Sequence, residues 1–108
     1  MMKTIEEYYT IARSLFLAAY PEIQQGIDNL KEEDAQALGM SLEQLQSMQT
    51  DRAWAAFTRE KKLDGMLFAI QLAEPDKEVA AAAIETYLRQ HAEALGMSWE
   101  EFCIKNEL

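Results

Sequence analysis

The chain has 108 residues, 49% of them hydrophobic, with four glycines, two prolines and a single cysteine. Those proportions suit one folded domain and exclude both a disordered chain and an intrachain disulfide. The net charge of -9 repels phosphate backbones and anionic lipid headgroups, which argues against nucleic acid and membrane partners.

Ala, Leu, Glu, Gln and Met are abundant and valine occurs once, a balance that favours helix over strand. The first helix is expected over Thr4–Ala19, with Ile5, Tyr8, Tyr9, Ala12, Leu15, Phe16 and Ala19 on one stripe. Leu17 falls among the polar residues of the opposite face and is expected to be exposed. Tyr20-Pro21 breaks this helix, and Pro21 then opens a short second one reaching about Asn29, weakened by Gly26. Lys31–Leu38 reads as a third helix with an acidic first turn.

The fourth helix runs from Leu42 to about Lys62, with Leu42, Leu45, Gln49, Ala53, Ala56 and Phe57 on its stripe. Trp54 stands out of phase with that stripe, so either the helix bends near Thr50-Asp51 or Trp54 is partly exposed. Arg59, Lys61 and Lys62 gather at its end, where the helix dipole favours positive charge. Asp64 caps a fifth helix, Gly65–Ala73, whose apolar residues lie all round and place it in the middle of a core. The sixth helix opens at Pro75-Asp76 and runs to Leu95 on a stripe of Val79, Ala83, Ile84, Tyr87, Leu88, Ala92 and Leu95. A last helix, Trp99 to about Lys105, carries Cys103 on its apolar side with Trp99 and Phe102, so a buried reduced thiol is expected. The expected fold is therefore all-α: one compact domain over residues 1–108, of six to seven helices.

Ala-Leu-Gly-Met-Ser occurs twice, at Ala37–Ser41 and Ala94–Ser98. Each copy stops one helix and starts the next. Gly39 and Gly96 supply a left-handed residue after the stop. Ser41 and Ser98 cap the following helix, with Gln44 and Glu101 placed to close a capping box. Met40 and Met97 can pack back near Ala35 and Ala92, and forward as a staple onto Leu45 and Phe102.

The corner resembles the helix-turn-helix motif. Ala35 and Ala92 stand four places before the glycine, Leu38 and Leu95 directly before it, Met40 and Met97 directly after it, and Leu45 and Phe102 six places after it. The outer faces depart from a DNA reader. The second copy offers Trp99, Glu100, Glu101 and Cys103 before its first base, Lys105, and the first is preceded by Glu32, Glu33 and Asp34. Base readout needs polar side chains flanked by cations for the phosphates, so a tight corner used twice is the better reading. The stretches Leu15–Glu22 and Ala94–Cys103 are similar to a family of small uncharacterised helical bacterial proteins; the resemblance implies no activity.

No catalytic, metal-binding or cofactor-binding set emerges. His91 is the only histidine and sits at the edge of the sixth helix's stripe, where a packed imidazole is expected. With one His and one Cys the common zinc sites are excluded, and no phosphate loop, dinucleotide glycine pattern or nucleophile elbow is present. Glu6 and Glu7 interrupt any signal-peptide core, and apolar runs such as Met66–Ile70 are far too short to span a bilayer, so a cytoplasmic protein is expected. The expected function is a non-catalytic protein-interaction module, with Trp54, Leu17 and Trp99 as candidate partner contacts. The runner-up is an acidic inhibitor or immunity-type protein covering a basic partner, and a transcription regulator comes third. A homo-oligomer is compatible with either of the first two.

Overall fold

In the computed structural model, which describes residues 2–108, α1 (Ile5–Ala19) begins at Thr4. The Thr4 hydroxyl accepts from the Glu7 amide and the Glu7 carboxylate accepts from the Thr4 amide, both at 3.1 Å, a closed capping box. Six further helices follow: α2 (Pro21–Asp28), α3 (Glu32–Ala37), α4 (Leu42–Glu60), α5 (Gly65–Ala73), α6 (Lys77–Ala94) and α7 (Trp99–Lys105). Among the described residues there is no strand. Each expected helix is present, shorter by a residue or two where the flanking residues are caps rather than helix. Asp64 accepts from the amides of Met66 and Leu67 at 3.0 Å, and Asp76 from those of Glu78 and Val79 at 2.9 and 3.2 Å. Each satisfies two donors that a helix start leaves unpaired.

The core forms where α1 lies along α5. Tyr8, Ala12 and Phe16 of α1 meet Ala69, Ile70 and Ala73 of α5, joined by Trp54 of α4 and by Ala80 and Ala83 of α6. Two phenols tie α1 to its neighbours. The buried Tyr8 hydroxyl donates to Glu74 at 2.8 Å, and Tyr9 donates to Asp51 of α4 at 2.8 Å. Arg13 also donates to the same Asp51 oxygen.

Several faces differ from their sequence expectation. α4 is continuous, and its buried line is Leu45, Thr50, Trp54 and Thr58. Trp54 is in phase once the two threonines are counted as core positions, and Ala56 is exposed. The threonines go inside because their hydroxyls bond back to their own helix, Thr50 to the Gln46 carbonyl at 2.8 Å and Thr58 to the Trp54 carbonyl at 3.1 Å. Neither threonine hydroxyl is then buried unpaired, whereas the Trp54 Nε1 beside them has no hydrogen-bond partner. On α1, Leu15 is exposed and Leu17 is half-buried against the core, the reverse of the stripe reading. On α6, Leu95 and His91 are exposed, whereas Ala80 is buried.

The molecule is elongated rather than compact. Its Cα radius of gyration is 16.6 Å and its extents are 51 × 29 × 27 Å, against about 13 Å for a close-packed chain of this length. α3 rests on α4, and α7 rests on α6. Both are carried away from the α1–α5 core on the long helices that bear them.

Candidate functional site

The two repeated corners are nearly the same object. Gly39 and Gly96 have φ of 71° and 72°. The Met40 amide donates to the Ala35 carbonyl at 3.0 Å and Gly39 to Gln36 at 3.0 Å; Met97 donates to Ala92 at 2.9 Å and Gly96 to Glu93 at 3.0 Å. This crossed pair of bonds is the Schellman motif. Ser41 and Ser98 each accept from the amide three residues on, at 3.1 Å. Only the first corner closes its capping box among the bonds found, with Gln44 accepting from the Ser41 amide at 2.9 Å. Ala35, Ala92, Leu45 and Phe102 are buried, and Met40 and Met97 are half-buried. Leu38 and Leu95, which the helix-turn-helix resemblance would pack inward, are 59% and 58% exposed.

Of the three residues singled out as partner contacts, Trp54 is withdrawn. It is 3% exposed and enclosed by Phe16 and Tyr9 edge-on, at 5.5 and 6.1 Å, and by Phe68 stacked at 5.6 Å. Gly65 lets α5 approach its indole, because a Cβ there would stand 3.3 Å from Trp54 Nε1. Leu17 is partly buried and packed against the same core.

Trp99, the first residue of α7, is half-exposed and lies elsewhere. Its ring stacks on Phe102 at 5.8 Å, and the Arg89 guanidinium covers it at 4.5 Å. Arg89 is itself held by Glu85 at 3.1 Å. These contacts fix the ring beside an open groove of about 490 Å³ lined by Ala81, Ile84, Leu88 and Leu108. A second groove of about 340 Å³ shares Ala81 and Ile84 and continues towards Gln71 of α5. On the same helix pair Ile104 is 80% and Leu108 66% exposed. The α6–α7 face therefore gathers half-buried and exposed apolar side chains around Trp99. Ile84 and Leu88 read from sequence as core. Of that stripe, Ala83 is buried in the core, Ile84 and Tyr87 pack against it partly buried, and Leu88 is half-buried at the groove; Ala80 joins the core from beside the stripe.

The polar clusters are structural ties. Burial and the Asp51 carboxylate push the Tyr9 phenol up to about 12, so it stays protonated and donating. The Tyr8 hydrogen bond, aided by the Asp76 amide at 3.2 Å, holds the Glu74 carboxyl below its ordinary value. Neither cluster contains an activated nucleophile. Cys103 is half-buried, and His91 packs between Tyr87 at 6.2 Å and Phe102 at 5.9 Å. Lys61 of the basic cluster lies over the Phe57 ring at 5.9 Å. Among the described residues no group of three or more His, Cys, Asp or Glu side chains is arranged to hold a metal ion, and no helix is long and apolar enough to cross a membrane.

The chain belongs to the family of unknown function DUF6388, whose model matches residues 2–108. No match is found among curated proteins or among solved structures.

Proposed function

We propose that this protein is a non-catalytic helical module that acts by protein–protein contact through its α6–α7 face. One observation carries the reading: Trp99 is held in place by Arg89 and Phe102 at the rim of an apolar groove that no other element of the chain covers. Tryptophan and arginine are the residue types that most often anchor interfaces, and a pre-positioned ring spares part of the ordering cost of binding. An acidic inhibitor of a basic protein is the second reading, favoured by the -9 charge.

Site-specific photocrosslinking in the producing cell tests the first reading. A photoreactive residue in place of Leu88 is expected to give discrete protein adducts. The same residue in place of the exposed Arg52 on α4 is expected to give none. Equal adducts at both positions, or none at Leu88, would refute the assignment of the face.

A further inference from the structure

We infer that the occupant of the α6–α7 face is a cationic amphipathic helix of a partner protein. The inference rests on the reading of that face as a contact surface, and adds the chemistry of what fills it.

The shape comes first. The two adjoining grooves share Ala81 and Ile84 and together follow α6 from beside Gln71 to Leu88 and Trp99. Lys77 to Leu88 spans roughly 16 Å at 1.5 Å per residue, about three helical turns. Ala81, Ile84 and Leu88 recur at the spacing of one helical stripe. A trough bounded by one helix, about three turns long, apolar from Ala80 to Leu88 and polar at its Gln71, Glu74 and Lys77 end, suits a second helix lying beside α6 with its own apolar stripe turned inward. The alanine at 81 leaves room for a large side chain from the occupant, and Trp99 closes one end.

Charge decides the other half. Between residues 74 and 108 eight carboxylates stand against three cations, Lys77, Arg89 and Lys105. Arg89 is already engaged by Glu85 and by the Trp99 ring. Of the groove linings themselves, Glu85, already shared with Arg89, stands in one and Glu74 and Lys77 in the other, and Glu78 lies one turn before Ala81 and Ala82, so the rim is acidic by a small margin. An occupant with basic residues flanking its apolar stripe meets this rim favourably. A second copy of the chain does not, because each copy brings a net charge of -9 and like charges across an interface are costly.

The test uses the full chain, isotopically labelled, and three synthetic helical peptides. Each peptide has the same leucine stripe; its polar face is lysine, glutamine or glutamate. The lysine peptide is expected to bind, with NMR shift changes concentrated at Ala81, Ile84, Leu88 and Trp99. The glutamine peptide should bind on the order of tenfold more weakly, and the glutamate peptide not at all. Leu88→Asp should abolish binding of the lysine peptide; Trp99→Ser serves the same purpose should the aspartate variant lose its helical circular dichroism. Reversing Glu78 and Glu85 to lysine should erase the preference for lysine over glutamine. Equal binding of lysine and glutamine peptides overturns the charge argument while leaving the contact surface standing. Shift changes spread over other helices, or binding unaffected by both variants, overturn the site. Concentration-dependent self-association in sedimentation velocity, lost in Trp99→Ser, would identify a second copy as the occupant and overturn the inference. An inert, monomeric protein would overturn it too, and the Leu88 crosslink then decides the broader reading separately.

Discussion

Exchanging residues at the left-handed positions should move stability in opposite directions at glycine and at lysine. Gly39 and Gly96 have φ of 71° and 72°, and a Cβ added at either would meet nothing within 4 Å. Alanine there is strained only through its backbone, at about 1–2 kcal/mol. A stiffer unfolded chain returns about 0.4–1 kcal/mol, so each Gly→Ala change should destabilise by about 0.5–1 kcal/mol. Lys62 adopts the same conformation, φ 58°, in the same bonding pattern at the end of α4. The Leu63 amide donates to the Thr58 carbonyl at 2.8 Å and Lys62 to Arg59 at 3.1 Å. Lys62→Gly therefore releases the strain that Gly39→Ala introduces, and should stabilise by about 0.5–1 kcal/mol by the same two quantities. Urea unfolding followed by circular dichroism reads these changes as shifts in midpoint at constant slope. Thermal midpoints should move by a few degrees, given about 4–8 °C per kcal/mol for a domain of this size. A destabilised Lys62→Gly, or a Gly39→Ala and Gly96→Ala pair as stable as the parent, would refute the reasoning.

Four further outcomes are expected. Ser41→Ala and Ser98→Ala should each cost about 1 kcal/mol, since each loses the one hydroxyl bond to the amide three residues on; paired urea melts measure both. Trp54→Ala should cost about 3–5 kcal/mol as a core truncation, whereas Trp99→Ala should leave the urea midpoint almost unchanged, and equal losses would contradict the assignment of one to the core and the other to the surface. The folded Glu74 carboxyl lies below its ordinary value of 4.5 because Tyr8 donates to it, so its contribution is present above the carboxylate range and is lost as pH falls through the depressed value. Tyr8→Phe should lower stability at neutral pH and flatten its fall towards acid, measured as urea midpoint against pH. The Tyr9 phenol is raised from 10 to about 12, so its contribution is complete below 10 and lost as pH rises towards 12; Tyr8 and Tyr87 are raised as well, so near-ultraviolet titration should show several late tyrosines, one fewer in Tyr9→Phe.

The sequence by itself determined where most helices start and where α3 and α6 stop. Thr4, Asp64, Asp76, Ser41 and Ser98 all cap as their identities imply, and both glycine corners close as Schellman turns. Those bonds join atoms three to five residues apart, so the local string contains both partners. The fourth left-handed ending, at Glu107 with φ 57°, and the third, at Lys62, carry no such sign, since neither residue prefers that backbone. Tertiary structure alone decided which apolar stripes are covered. Leu15 and Leu17 exchange roles, Thr50 and Thr58 go inside while Leu95 stays out, and Trp54 proves to be core. Helical spacing says which residues share a stripe but not how wide a neighbour is. α6 presents two adjoining apolar stripes and α5 covers one of them, the alanine side, where close approach is cheapest. The outer edge of the other stripe, from Ala81 to Leu88, is left partly uncovered beside Trp99, and it is this remainder that forms the candidate contact face.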